Sequence, residues 1–163
     1  MRYIISLIVS LIIFNGCKNN TVAPGNDQSL SSTQKQNGII YTLSVSKHTY
    51  SLYDTLNAQL TAFNDSVVPD TLDTGYTPAL FNWTIINEGG KVIMSNPIGG
   101  GPYYFRFILN PNQKASLYQI NQAIGVITDQ SGAPMMAGSY VLQWNLNNHG
   151  IPYLSFKINI EIR

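Results

Sequence analysis

The residues of this chain that could do chemistry are few: two histidines, one cysteine and eight carboxylates. Acyl transfer by a serine needs a histidine oriented by a carboxylate. His48 stands in Lys47-His48-Thr49 and His149 in Asn148-His149-Gly150. Both read as connections, and neither has the strand-turn-helix setting of a nucleophile elbow. Glycoside hydrolysis needs two facing carboxyl groups. Asp54, Asp65, Asp70, Asp73, Glu88 and Asp129 all fall in or beside turns, with no flanking motif that pairs them. Asp129-Gln130-Ser131-Gly132 lacks the alternating oxygen ligands of a calcium loop. Gly99-Gly100-Gly101 does not lead a strand into a helix, as a phosphate-cradling loop would. One cysteine and two histidines leave little material for a soft-ligand metal site. The expectation is a chain with no catalytic residue, no metal and no cofactor.

Contact chemistry is better represented. The chain has 10 tyrosines, of which Tyr76 falls in a long connection and Tyr104 on an outward strand position. Exposed tyrosines stack on sugar rings or anchor protein partners. Met135-Met136 fall in another long connection, and flexible thioethers suit an adaptable contact surface. These four residues are the candidate binding residues. Charge is scarce: charged residues make up 10% of the chain, and the formal net charge is +1. Asn (17) and Gln (9) together outnumber all Lys, Arg, Asp and Glu. Nucleic-acid binding needs clustered Lys and Arg to displace counterions, and no such cluster exists here. The partner is expected to be an unidentified protein or glycan, recognised by shape and hydrogen bonds.

The cysteine has a specific setting. Arg2 precedes the apolar run Tyr3–Phe14, and Asn15-Gly16-Cys17 follows it. Twelve residues are too few to span a bilayer, which takes roughly 20, but they suit the apolar region of a secretory signal. Gly16-Cys17 resembles the cleavage site of bacterial lipoproteins, where the chain is cut before a cysteine that carries lipid. The resemblance implies a signal peptide over residues 1–16, a diacylglycerol on the Cys17 sulfur and attachment to the membrane of the bacterial envelope. Lys18, standing where aspartate would retain a lipoprotein at the inner membrane, favours the outer one.

The elements that must position any site follow from the hydrophobic pattern. Lys18–Gly38 is polar and is read with Cys17 as a flexible tether over 17–38. From Ile39 to Arg163, short runs alternate apolar and polar with period two. They cover Ile39–Ser46, Leu56–Asn64, Leu80–Ile86, Lys91–Ser95, Tyr103–Leu109, Lys114–Asn121, Ser139–Leu146 and Tyr153–Ile162. Turn residues separate them, and no segment sustains the helical period. This predicts an all-β domain over 39–163, an antiparallel Ig-like β-sandwich of about eight strands. If every connection reverses the chain, the long loops Asp65–Ala79, Asn96–Pro102 and Gln122–Gly138 gather at one pole with Ile39 and Arg163. The tight turns Asn87–Gly90 and Asn110–Gln113 then lie at the other. Three tripeptides, Asp54-Thr55-Leu56, Asp65-Ser66-Val67 and Asp70-Thr71-Leu72, resemble an O-glycosylation sequon of some gram-negative lineages.

Several segments line up in order: Asn64-Asp65-Ser66, Phe81-Asn82-Trp83-Thr84-Ile85, Glu88-Gly89-Gly90-Lys91-Val92-Ile93, Leu109-Asn110-Pro111-Asn112-Gln113 and Gly138-Ser139-Tyr140-Val141-Leu142. Over about Ser44 to Leu146 the chain resembles the intracellular proteinase inhibitor (BsuPI) domain family. Asn112 stands where that family's turn has glycine, and Val92-Ile93-Met94 where it has a tryptophan. The resemblance implies an Ig-like sandwich, with protease inhibition known for few members and no inhibitory residue to carry across. The functional expectation is a membrane-anchored extracytoplasmic binding module, not an enzyme. A carbohydrate-contacting surface lipoprotein is the alternative.

Overall fold

A computed structural model describes residues 29–73, 82–95, 106–129, 131–148 and 151–163. The strands are β1 (Leu30–Gln36), β2 (Ile39–Val45), β3 (Thr49–Tyr50), β4 (Thr55–Asn64), β5 (Asp70–Asp73), β6 (Asn82–Asn87), β7 (Val92–Ser95), β8 (Arg106–Leu109), β9 (Lys114–Ala123), β10 (Gly138–Asn148) and β11 (Ile151–Ile162). One sheet has the order β1-β2-β4-β9, a second β3-β11-β10-β6-β7, and β5 pairs with β8 in a two-stranded third. All pairings are antiparallel except β3 with β11. The expected all-β antiparallel sandwich is what the chain forms.

Period two explains the core. Ile39, Tyr41, Leu43 and Val45 are buried on β2, and Leu56, Ala58, Leu60 and Ala62 on β4. Trp83 and Ile85 on β6, Tyr140, Leu142, Trp144 and Leu146 on β10, and Leu154, Phe156, Ile158, Ile160 and Ile162 on β11 face them from the second sheet. Each such side chain contributes about 1.5–3 kcal/mol on leaving water. The sheets meet where the Tyr118 ring of β9 stands edge-on to Trp144, with centroids 5.5 Å apart. At Leu60/Thr61 the β4–β9 register shifts, and Thr61 joins Leu60 and Ala62 in being buried.

Three expectations change. The tether does not run to Gly38, because Leu30–Gln36 is a strand paired along its length with β2. Its alternate residues are only half-buried, so the hydrophobic pattern is silent there. The turn is the signal: Asn37 and Gly38 both have positive φ (50° and 80°), and Asn-Gly is a strong two-residue hairpin turn. The strand inventory also grows by β3 and β5, which are too short to show a period.

The third change concerns the poles. Reversal at every one of the seven expected connections would run β4 and β9 in the same direction, and likewise β6 and β10. Both pairs are antiparallel. Among the described residues, strand β8 pairs only with β5, outside both larger sheets, so the expected alternation breaks between β7 and β9. The tight turn 87–90 therefore lies beside the connection that follows β9, where Lys91 pairs with Asp129. The tight turn 110–113 packs on the start of the connection after Asn64, through Asn64 N–H to Gln113 O at 2.9 Å. Ile39 faces Asn64 at one end, whereas Arg163 donates to Tyr50 O (2.8 Å) at the other.

Candidate functional site: an apolar cap built on Asn64

At the end of the sandwich where β4 stops, a fully buried asparagine organises three turns. Asn64 Nδ2 donates to Val68 O and to Leu109 O, both at 2.8 Å. Its Oδ1 accepts from Ser66 N–H (2.9 Å) and Ser66 Oγ (2.7 Å). Its backbone accepts from Asn112 N–H at 2.8 Å. Asp65 N–H donates to Gly38 O at 2.8 Å, which brings in the first hairpin. A Cβ on Gly38 would lie 2.9 Å from Ser66 Cβ, so that hairpin fits only as glycine. Asn112 has φ +60°, a conformation that asparagine tolerates well among non-glycine residues and glycine adopts freely.

This frame presents apolar side chains to water. Val67 is 93% exposed, Val68 59% and Ile108 62%. Ile108 precedes Leu109, whose carbonyl shares Asn64 Nδ2 with Val68. Three aliphatic side chains are thus exposed on the turns that Asn64 ties together and on the strand beside them.

The opposite end carries a shallow groove lined by several charged side chains. Two depressions of about 410 and 400 Å³ share Glu88, Ser139 and Tyr140. His48 and Glu161 line the first; Lys91, Asp129 and Met136 line the second. Arg163 grips Glu161 with two bonds, at 3.0 and 3.1 Å, and holds its carboxyl below the usual range. The Lys91 ammonium, with Ser131 and the Ala133 amide, holds Asp129 well below that range. The Ser51 amide and then Lys47 lower Asp54. A glycosidase acid needs a carboxyl pushed up, and these three are pushed down. Among the described residues, no three His, Cys, Asp or Glu side chains converge as a cation site.

The candidate binding residues fare differently. Met135 is 4% exposed, locked into the core by its N–H to Ile127 O at 3.0 Å. Met136 is 73% exposed on the groove rim, where its carbonyl accepts from the Tyr140 hydroxyl at 2.7 Å. The pair is therefore split, one residue to the core and one to solvent. Cys17, Tyr76, Tyr104 and His149 lie outside the described residues. Of the three glycosylation-like tripeptides, Thr55 and Thr71 are exposed. The Ser66 hydroxyl is occupied in the Asn64 frame. Sequence reasoning passed over Val67, Val68 and Ile108 because an exposed valine and a core valine look alike in a pattern. Asn64, at the close of a strand and before Asp-Ser, was the available signal.

No family model matches the chain, and no curated protein matches it. Among solved structures it is similar to a β-glucosidase from Erythrobacter marinus, with TM-score 0.42 and 11% identity. It is similar also to a β-glucosidase from Listeria innocua crystallised with glucose, with TM-score 0.41 and 9% identity. Each match covers 83% of this chain, and the chain spans 16% of the length of either enzyme chain.

Proposed function

We propose that this protein is a lipid-anchored, non-catalytic binding module of the bacterial envelope, and that it engages a protein partner through Val67, Val68 and Ile108. The observation that supports this most is the saturated Asn64 frame beneath exposed valines. A preordered apolar loop loses little conformational entropy on binding, so its side chains serve directly as anchors. Gly16-Cys17 after the apolar run supports the anchor, and Lys18 supports the outer membrane. Protease inhibition is the narrower form of this reading. It draws on the sequence resemblance given above and on a rigid exposed loop, the form of segment a protease cleft accepts.

The test places a photo-crosslinking side chain at Val67 in the full chain and irradiates intact envelopes. The expected result is one discrete protein adduct, lost when Val68→Asp is added. An adduct pattern unchanged by Val68→Asp, or retention of polysaccharide alone, removes the reading. Incubation of the purified chain with envelope proteases then decides inhibition.

A second reading has its own observation. Tyr153 is 61% exposed, and its hydroxyl donates to Asn145 Oδ1 at 2.8 Å, where Gln143 Nε2 also donates at 3.2 Å. An exposed ring beside oriented amides is a sugar-stacking platform. It predicts polysaccharide retention that Tyr153→Ala abolishes and Val67 substitutions leave intact.

A further inference from the structure

The far end from the Asn64 cap has an exposed apolar tip that the binding reading does not use. The turn after β3 exposes Leu52 (42%) and Tyr53 (99%). The 3-10 turn Ile124–Val126 exposes Val126 (65%). These two turns are joined: Ile124 N–H donates to Asp54 O at 2.9 Å, and the Gly125 Cβ position lies 2.8 Å from Leu52 O. The chain enters the sandwich at this same end. Leu30, the first residue of β1, pairs with Val45, the last of β2, immediately before the segment that leads to Leu52. Twelve residues separate Cys17 from Leu30. A coil of that length reaches about 20 Å.

We infer that the end bearing Leu52, Tyr53 and Val126 docks on the phospholipid surface to which Cys17 is anchored, leaving the Asn64 cap pointing away from the membrane. The inference rests on the lipid-anchor reading. The tether delivers this end, and not the other, to the bilayer. A tyrosine with its ring in water and aliphatic neighbours beside it fits the interfacial layer, where an aromatic body and a polar hydroxyl are both satisfied. Charge does not drive the contact. Lys47 pairs with Asp54, Lys91 with Asp129 and Arg163 with Glu161, while Glu88 and His48 stand near. Docking is therefore expected on neutral as well as anionic headgroups, with little salt dependence.

The experiment uses the full lipidated chain in phosphatidylethanolamine–phosphatidylglycerol vesicles that contain a doxyl-labelled phospholipid. Acylation blocks the native thiol of Cys17, so Tyr53→Cys or Val67→Cys takes an NBD label at one place. The expected result is quenching at position 53 at least threefold above that at position 67, and a fall to the position-67 level when Val126→Asp is added. Equal quenching at both positions on vesicle-bound protein, or quenching at 53 untouched by Val126→Asp, overturns the docking and leaves the anchor standing. If the full chain made in a bacterial envelope carries no diacylglycerol on Cys17 and partitions into the aqueous phase, both readings fall.

Discussion

Asn64 is the residue on which the cap depends. Replacing it with alanine removes the side-chain donor to the buried Leu109 carbonyl and the acceptor of the Ser66 amide, while the Val68 carbonyl keeps the Ser66 hydroxyl. A buried group stripped of its partner costs about 1–3 kcal/mol. Asn64→Ala is therefore expected to lower stability by about 2–3 kcal/mol, read as a fall in the urea midpoint, and to weaken partner binding by loosening Val67 and Val68. The core holds the opposite case. Trp83 and Trp144, paired across β6 and β10, bury indole N–H groups that meet no acceptor among the described residues. Trp83→Phe removes an unpaired donor along with some apolar area, so its cost should stay within about 1 kcal/mol in the same measurement. Titration adds a further test. Burial, with the charge of Asp70, pushes the Tyr41 hydroxyl up to about 12. The folded state thus holds this proton more tightly than the unfolded chain, whose tyrosines titrate near 10. Stability is complete below about pH 10 and declines as pH rises toward 12. Tyr41→Phe should flatten that decline in thermal melts.

At the scale of elements, two hairpin glycines with the same backbone geometry predict different costs. Gly38 has φ +80° and Gly90 φ +78°. Gly90 opens to empty space, so Gly90→Ala carries the left-handed penalty alone, about 1–2 kcal/mol. Gly38→Ala adds a 2.9 Å collision with Ser66 and should lower the melting temperature distinctly further. The strands themselves were legible wherever a half-buried face alternates, as on β2, β10 and β11. They were not legible where pairing rests on backbone hydrogen bonds alone. Strand β1 carries Ser, Thr, Gln and Lys and is held by its partner and its Asn-Gly turn, so composition read it as tether.

The whole molecule is polar in the geometric sense. One end carries the Asn64 cap, and the other carries Leu30, the Leu52-Tyr53 turn and the charged groove. Lys35 with Asp65, Lys47 with Asp54 and Arg163 with Glu161 are ion pairs that solvent reaches, the first at 56% and 42% exposure. Such pairs add little and weaken with salt. With charged residues only 10% of the chain, partner binding is expected to change less than about twofold between 50 and 500 mM salt, measured by calorimetry. A steep salt slope would mean a contact surface other than the valine cap.

Period two and turn chemistry are local properties, so the chain alone determined an all-β sandwich, most of its strands and its inward faces. The signal-like run before Cys17 is local in the same way. Which connections share an end was not local. It depended on β8, which pairs with β5 outside both larger sheets and so undid the expected grouping of long loops. The separation of Met135 from Met136 was likewise decided by which side of one loop met the core. Only the tertiary structure set the Val68 and Leu109 carbonyls beside one amide, because they are brought together by chain pairing and not by spacing. A turn asparagine thereby became the buried centre of three joined turns.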